Sequence, residues 1–197
     1  VLTLERAVSL SDFTHLASRH SQVWQARAYA EPTGWQRHQS IRVVVVPAGG
    51  GPLGELETSL AKTLEGYCIP GVQVILAPYR PVPLVLTITV QVPTEAFDPD
   101  AVTTAVRQTL IDGLALKQQR LGEAFYRSQL FELVEGVAGV ENSDCIIEPA
   151  SVAGHPVQAV IAGNDGRIRR LQPEPDQVIH VDPDLSTLNI EAKPLSL

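Results

Sequence analysis

Three prolines fall within the six residues Pro78-Tyr79-Arg80-Pro81-Val82-Pro83. Proline cannot donate to a β-ladder and clashes with the preceding turn inside a helix. Neither a helix nor a central strand runs through such a stretch, so it predicts an internal boundary. Each side of it must then build its own core. At 197 residues, the chain is long enough for two small modules.

The first module, residues 10–80, reads α-β-β-α-β. Ser11 and Asp12 suit a helix start, as an acceptor for first-turn amides and as a negative charge at the positive end of the dipole. Phe13, Leu16 and Ala17 recur at helical spacing, which predicts a helix over Ser11–His20. Val23–Ala30 changes to period two, with Trp24 alternating against Gln25 and Arg27, and reads as a half-buried strand. Glu31–Gln39 is a loop. Ile41–Val46 is β-branched almost throughout, as a central strand requires. Leu56, Leu60 and Leu64 then predict a helix over Glu55–Tyr67, and Val72–Ala77 a further strand.

The second module, residues 81–149, reads β-α-α-β. Leu84–Val92 is the cleanest strand in the chain: Leu84, Leu86, Ile88, Val90 and Val92 fall on one face, Thr87, Thr89 and Gln91 on the other. Asp98-Pro99-Asp100 starts a helix to about Leu116, with Val102, Ala105, Val106 and Leu110 as its stripe. Ser128 caps a shorter helix to Glu135 that turns Leu130, Phe131 and Val134 inward. Val140–Ile147 closes the module. Both modules repeat one phrase, a helix end followed by Gly-Val, at Gly71-Val72 and Gly139-Val140. Residues 150–197 are punctuated by proline and carry short β-prone runs at Val157–Ile161, Arg167–Leu171, Gln177–Val181 and Leu185–Glu191, with a hairpin signal at Asn164-Asp165-Gly166. The expected fold class is therefore α+β: two small ferredoxin-like α/β modules in tandem and a β-rich C-terminal extension. Residues 1–9, opening on valine, read as a linker from a preceding region.

Candidate chemistry is sparse. The net charge of −7 gives no electrostatic footprint for a nucleic-acid backbone, and no apolar run reaches the ~18 residues of a membrane span. The loop Ala48–Gly54 sits between strand and helix, where phosphate loops sit, but Glu55 and Glu57 follow it in place of Lys-Ser/Thr and would repel a phosphate. It reads as a connector. His15 and His20 stand five apart and face different sides of a helix; His38, His155 and His180 fall near loops without partners at metal-ligand spacing, so all five read as solvated. Cys68 and Cys145 read as reduced, buried thiols. Asp98/Asp100 and Asp182/Asp184 are explained as a helix start and a turn. Ser128 lacks a nucleophile elbow. No catalytic, cofactor or metal site is expected. Trp24, Tyr29, Trp35, Tyr79, Phe125 and Tyr126 lie at strand edges, loop starts or module borders, where aromatics mark protein interfaces; these are the candidate interface residues.

Four blocks of the sequence resemble a known family. Arg6-Ala7-Val8-Ser9-Leu10-Ser11-Asp12-Phe13-Thr14-His15-Leu16-Ala17, followed by Val23 and Ala26-Arg27-Ala28, resembles the opening of the shared part of baseplate J-like proteins. Val43–Pro47 is similar to the next block. Val74-Ile75-Leu76-Ala77-Pro78-Tyr79, leading into Val82-Pro83-Leu84-Val85-Leu86, resembles the one after. Phe125–Leu130, running into Val134–Val140, looks like the late helix and Gly-Val strand of the family. The Ala115–Gly122 stretch departs from the relatives' pattern.

The resemblance implies a structural wedge subunit, without catalytic activity or cofactor, of a contractile phage-tail-like injection system. It further implies assembly in the cytoplasm into a tail-like particle in multiple copies, six per particle, and contacts with other wedge proteins, hub or spike, and sheath or tube. The alternative from another class is a ferredoxin-like regulatory domain that binds a small metabolite at the Gly49–Gly54 rim.

Overall fold

The computed structural model describes residues 6–31, 39–149, 158–161, 165–182 and 184–195. Its first helix, α1 (Leu10–Ser18), begins at a reciprocal cap. The Ser9 hydroxyl accepts the Asp12 N–H at 3.2 Å, and the Asp12 carboxylate accepts the Ser9 and Val8 N–H groups at 2.9 and 3.1 Å. Ser9 therefore takes the capping role expected of Ser11, because only Ser9 has an acid three residues on that can reach back. Ser11 is exposed, its hydroxyl 2.7 Å from that of Ser9. The expected stripe of Phe13, Leu16 and Ala17 is buried.

The strands β1 (Val23–Glu31), β2 (Gln39–Pro47) and β3 (Val72–Pro78) form one sheet in the order β1-β2-β3. β1 runs antiparallel to β2, and β3 is parallel to it across the helix α2 (Glu55–Tyr67). The central place of β2 accounts for its composition: Val43, Val44, Val45 and Val46 are all fully buried. Ile41, Val43 and Val45 join Phe13, Leu56, Leu60 and Leu64 in one core. α2 and β2 lie where their spacing predicts.

The second sheet is built on β5 (Leu84–Val92), whose five even-numbered apolar side chains are 0% exposed. β7 (Asn142–Pro149) pairs with it antiparallel and β11 (Thr187–Pro194) parallel. The helices α3 (Pro99–Gly113) and α4 (Arg127–Glu135) contribute Val102, Val106, Leu110, Leu130 and Val134 to the same core.

Boundaries shift where tertiary contacts compete. α3 stops at Gly113, short of Leu116, because the Leu114 carbonyl is taken by the Val181 N–H at 2.9 Å. Ala105 is exposed and Phe131 only half-buried. α4 starts one residue early and is capped from Gln129, whose side chain accepts the Tyr126 N–H at 2.8 Å; Ser128 is not the cap. β7 begins at Asn142, because Val140 is held in a turn by Val137 at 3.2 Å.

The last fifty residues are woven into this sheet and its neighbours. β9 (Ile168–Gln172) lies between β6 (Phe125–Tyr126) and β8 (Gln158–Ile161), and β10 (Gln177–Ile179) pairs with the short β4 (Arg80–Val82). The proline stretch thus holds a three-residue strand, but in a two-stranded pair, which proline tolerates. Leu171, Ile179 and Val181 belong to the β5 core. By chain contacts the molecule divides into two compact units, Val1–Arg80 and Pro81–Leu197.

The fold is α+β with mixed sheets. In a ferredoxin-like split βαβ, another strand separates the two parallel strands. Here β2 and β3 pair directly across their helix.

Candidate interaction surface

The candidate aromatics divide by burial. Trp24 sits where the β1–β2 register shifts between Val23 and Gln25, and it is 49% exposed. Such an irregularity re-aims a side chain away from the regular alternation. Tyr29, on the same strand, is half-buried and carries the Arg27 guanidinium 5.5 Å over its ring. Beside it in the register, Arg42 forms an ion pair with Glu31. Tyr126 is 44% exposed, with the Arg170 guanidinium 5.6 Å over its ring. Trp35 lies outside the described residues.

Tyr79 and Phe125 are corrections to the expected set. Phe125 is a core residue, 2% exposed and packed among the side chains around β5. Tyr79 is 9% exposed, and its N–H donates to the Val45 carbonyl at 3.1 Å. Consecutive strand residues point to opposite faces, so Phe125 and Tyr126 could never both have been surface anchors.

The polar candidates resolve into structural roles. Asp98 accepts the Asp100 N–H at 3.1 Å and opens α3. Asp182 accepts the Asp184 and Leu185 N–H groups at 2.8 and 3.1 Å, a turn before β11. His15 is exposed; His20 accepts the Gln22 N–H at 3.3 Å and lies 3.4 Å from the Ser59 hydroxyl. His38 and His155 lie outside the described residues. His180 departs from expectation: it is 4% exposed, with Nδ1 3.4 Å from the Val178 carbonyl and Nε2 3.8 Å from Asp182. Burial pushes its pKa below the ordinary 6.5, against the weaker pull of Val178 and Asp182. The reason is its place beside β10, flanked by the core residues Ile179 and Val181.

Both cysteines are free. Burial pushes the Cys145 thiol up to about 11 and also raises that of Cys68, which donates to the Leu64 carbonyl at 3.2 Å. Thiols so protonated are poor nucleophiles and poor metal ligands. Among the described residues no group of three or more His, Cys, Asp and Glu side chains could hold a metal ion. None of their helices is long and apolar enough to cross a membrane.

One cleft, of about 480 Å³, lies beside the glycine loop, lined by Ser21, Gln22, Gly49, Glu55 and Ser59 among others. Gly50, Gly51 and Gly54 there take φ of +71°, +77° and +51°. Gly54 gives α2 no side-chain cap, and Glu55 and Glu57 occupy its first turn. The positive end of the dipole is thus already met by the chain's own carboxylates.

With this geometry in hand, residues 5–77 match the family described as the Baseplate J-like central domain. The resemblance seen in the sequence is borne out over that segment. No curated protein matches the chain. Among solved structures it is similar to a chain of the "Cryo-EM structure of the anti-feeding prophage (AFP) baseplate, 6-fold symmetrised" at a TM-score of 0.65 and 12% identity. The match covers 91% of this chain but 38% of that one, so the present chain corresponds to well under half the length of its structural neighbour. At that identity the likeness is one of fold.

Proposed function

We propose that this chain is a structural wedge subunit in the baseplate of a contractile, phage-tail-like injection system. In that role it joins neighbouring wedge proteins to the hub and to the sheath or tube. It has no catalytic task, works without a cofactor, and is present in several copies, six by the symmetry of such particles. It assembles in the cytoplasm into a tail-like particle. The single observation that carries this reading is the family match over residues 5–77, which coincides with the first compact unit. The fold-level likeness to a baseplate chain extends support to the second unit.

On this reading the two units are related modules in tandem, each with its own core, and Trp24, Tyr29 and Tyr126 present contact surface to neighbours; Trp35 is proposed with them from the sequence. Exposed tryptophan and tyrosine beside arginine are the residue types that anchor protein interfaces. The test is deletion of residues 10–149 in the producing cell, followed by electron microscopy of purified particles. The expected result is loss of the baseplate; particles with normal baseplates would refute the proposal.

The cleft beside the Gly49–Gly54 loop is the observation that favours the metabolite-binding alternative. A ligand specific to the folded state raises its melting temperature. A thermal-shift screen with nucleotides and amino acids separates the two readings. A concentration-dependent rise, lost on Ser59→Trp, supports the alternative; a flat response supports the assembly subunit.

A further inference from the structure

The chain carries 22 acids against 15 bases, yet Arg167, Arg169 and Arg170 fall within four residues at the start of β9. Arg167 is paired with Asp144. Among the described residues no carboxylate pairs with Arg169 or Arg170. Other bases, among them Arg19, Lys62 and Arg120, also lack one, so what calls for a physical account is how Arg170 is held.

The register of β6 and β9 supplies it. Phe125 pairs with Leu171 and Tyr126 with Arg170. Phe125 and Leu171 face the core at 2% and 0% exposure, so alternation sends Tyr126 and Arg170 to the outer face. There the guanidinium lies over the phenol ring, and Gln172 accepts a hydrogen bond from its Nη2. Its Nε is buried without a hydrogen-bond partner, an unusual state for a charged group. Arg169 is exposed at a bulge: Val160 stands opposite Arg170 and Ile161 opposite Ile168, which leaves Arg169 as the extra residue.

Stacking holds a planar guanidinium in one orientation, so little side-chain freedom is lost when a carboxylate takes the Nη donors that remain to Arg170. The adjacent Tyr126 offers an apolar ring with a polar tip, a surface on which a peptide backbone can rest. A phosphate backbone is a poor occupant, since binding it would bring a long line of negative charge against a chain of net charge −7. A short acidic segment meets the same field only over about 10 Å at ordinary salt.

We propose that the outer face of β6 and β9, made by Tyr126, Arg169, Arg170 and Gln172, docks an acidic segment of a partner protein through carboxylate–guanidinium contacts. The inference deepens the assembly reading and rests on it for the partner being a protein.

The test uses the full chain and a fluorescein-labelled, short poly-glutamate peptide, followed by anisotropy. Saturable binding is expected at about 50 mM salt, weakening at least about tenfold at about 500 mM. Arg169→Glu, at an exposed position, should retain the circular dichroism of the parent and lose about tenfold in affinity, while Arg169→Lys retains most of it. The proposal is overturned if Arg169→Glu binds the acidic peptide as the parent does, or if the peptide does not bind at all. It is also overturned if inorganic phosphate, single-stranded DNA or anionic vesicles bind this face more tightly than the peptide. Because these measurements use the isolated chain, their failure leaves the particle-assembly test unaffected.

Discussion

Gly71 and Gly139 occupy the same phrase of the sequence and take φ of +91° and +93°. Their surroundings differ. A Cβ on Gly71 would meet open space, whereas one on Gly139 would lie 2.8 Å from the Phe97 ring and 2.9 Å from Val102. Gly71→Ala should therefore cost only the left-handed backbone, about 1–2 kcal/mol. Gly139→Ala adds the overpacking of two neighbours and should cost about 1–3 kcal/mol more. Urea denaturation checks the ordering, and equal midpoints for the two variants would remove the steric account. His180 gives a second prediction at this scale. Its folded pKa lies below the ordinary 6.5 because burial disfavours the cation. Between those two values the unfolded chain binds more protons than the folded one, so stability rises with pH through that window and is complete above it. Acidification from about pH 7 to about pH 5 should weaken the Pro81–Leu197 unit, and His180→Gln should flatten that slope in denaturation midpoints.

At the scale of elements, the mixed sheet around β5 depends on a strand that arrives about a hundred residues later. β11 runs parallel to β5 over its whole length, and Ser186, just before it, accepts the Leu84 N–H at 3.1 Å. Ending the chain at Asp184 removes both, together with Leu188 and Ile190, which pack on the core, and leaves β5 with an unpaired edge. Amide exchange along β5 should then accelerate at least about tenfold, the equivalent of about 1.4 kcal/mol. Unchanged protection would mean that β11 adds little to the sheet. This dependence also marks the limit of what the sequence discloses. β5 and α2 could be read to the residue, because strict alternation and leucines at i and i+4 are local patterns that the core only ratifies. β11, by contrast, carries Leu188, Ile190 and Ala192 at period two, but nothing local says which strand it joins or in which direction. The same long reach buried His180, Tyr79 and Phe125, all expected at surfaces, and ended α3 early. Trp24 and Tyr126 are exposed for reasons the structure supplies, a register shift beside Trp24 and the short strand β6 that turns Tyr126 outward. Arg169 and Arg170 passed unremarked as strand polarity, because pairing across β6 and β9 is what brings Arg170 over Tyr126.

For the whole molecule, the decisive fact is that the described residues form two cores with no residue in common. One gathers Phe13, Leu16, Val43, Val45, Leu60 and Leu64; the other gathers Leu84, Leu86, Ile88, Val106, Leu110 and Leu130. A subunit gripped by several neighbours needs modules that keep their shape under load, and a core of its own lets each unit do so. The family match ends at residue 77, just before the division at Arg80. Leu60 and Leu86, 1% and 0% exposed, test this separation in the intact chain. Each, truncated to alanine, leaves a cavity that costs about 2–5 kcal/mol locally. Leu60→Ala should raise exchange rates across α1, α2 and β2 while β5 and α3 keep their protection; Leu86→Ala should do the reverse. Native-state hydrogen exchange resolves the two sets of amides. If either substitution loosened both sets equally, the cores would be one cooperative structure, and a subunit made of separately rigid modules would have to be abandoned.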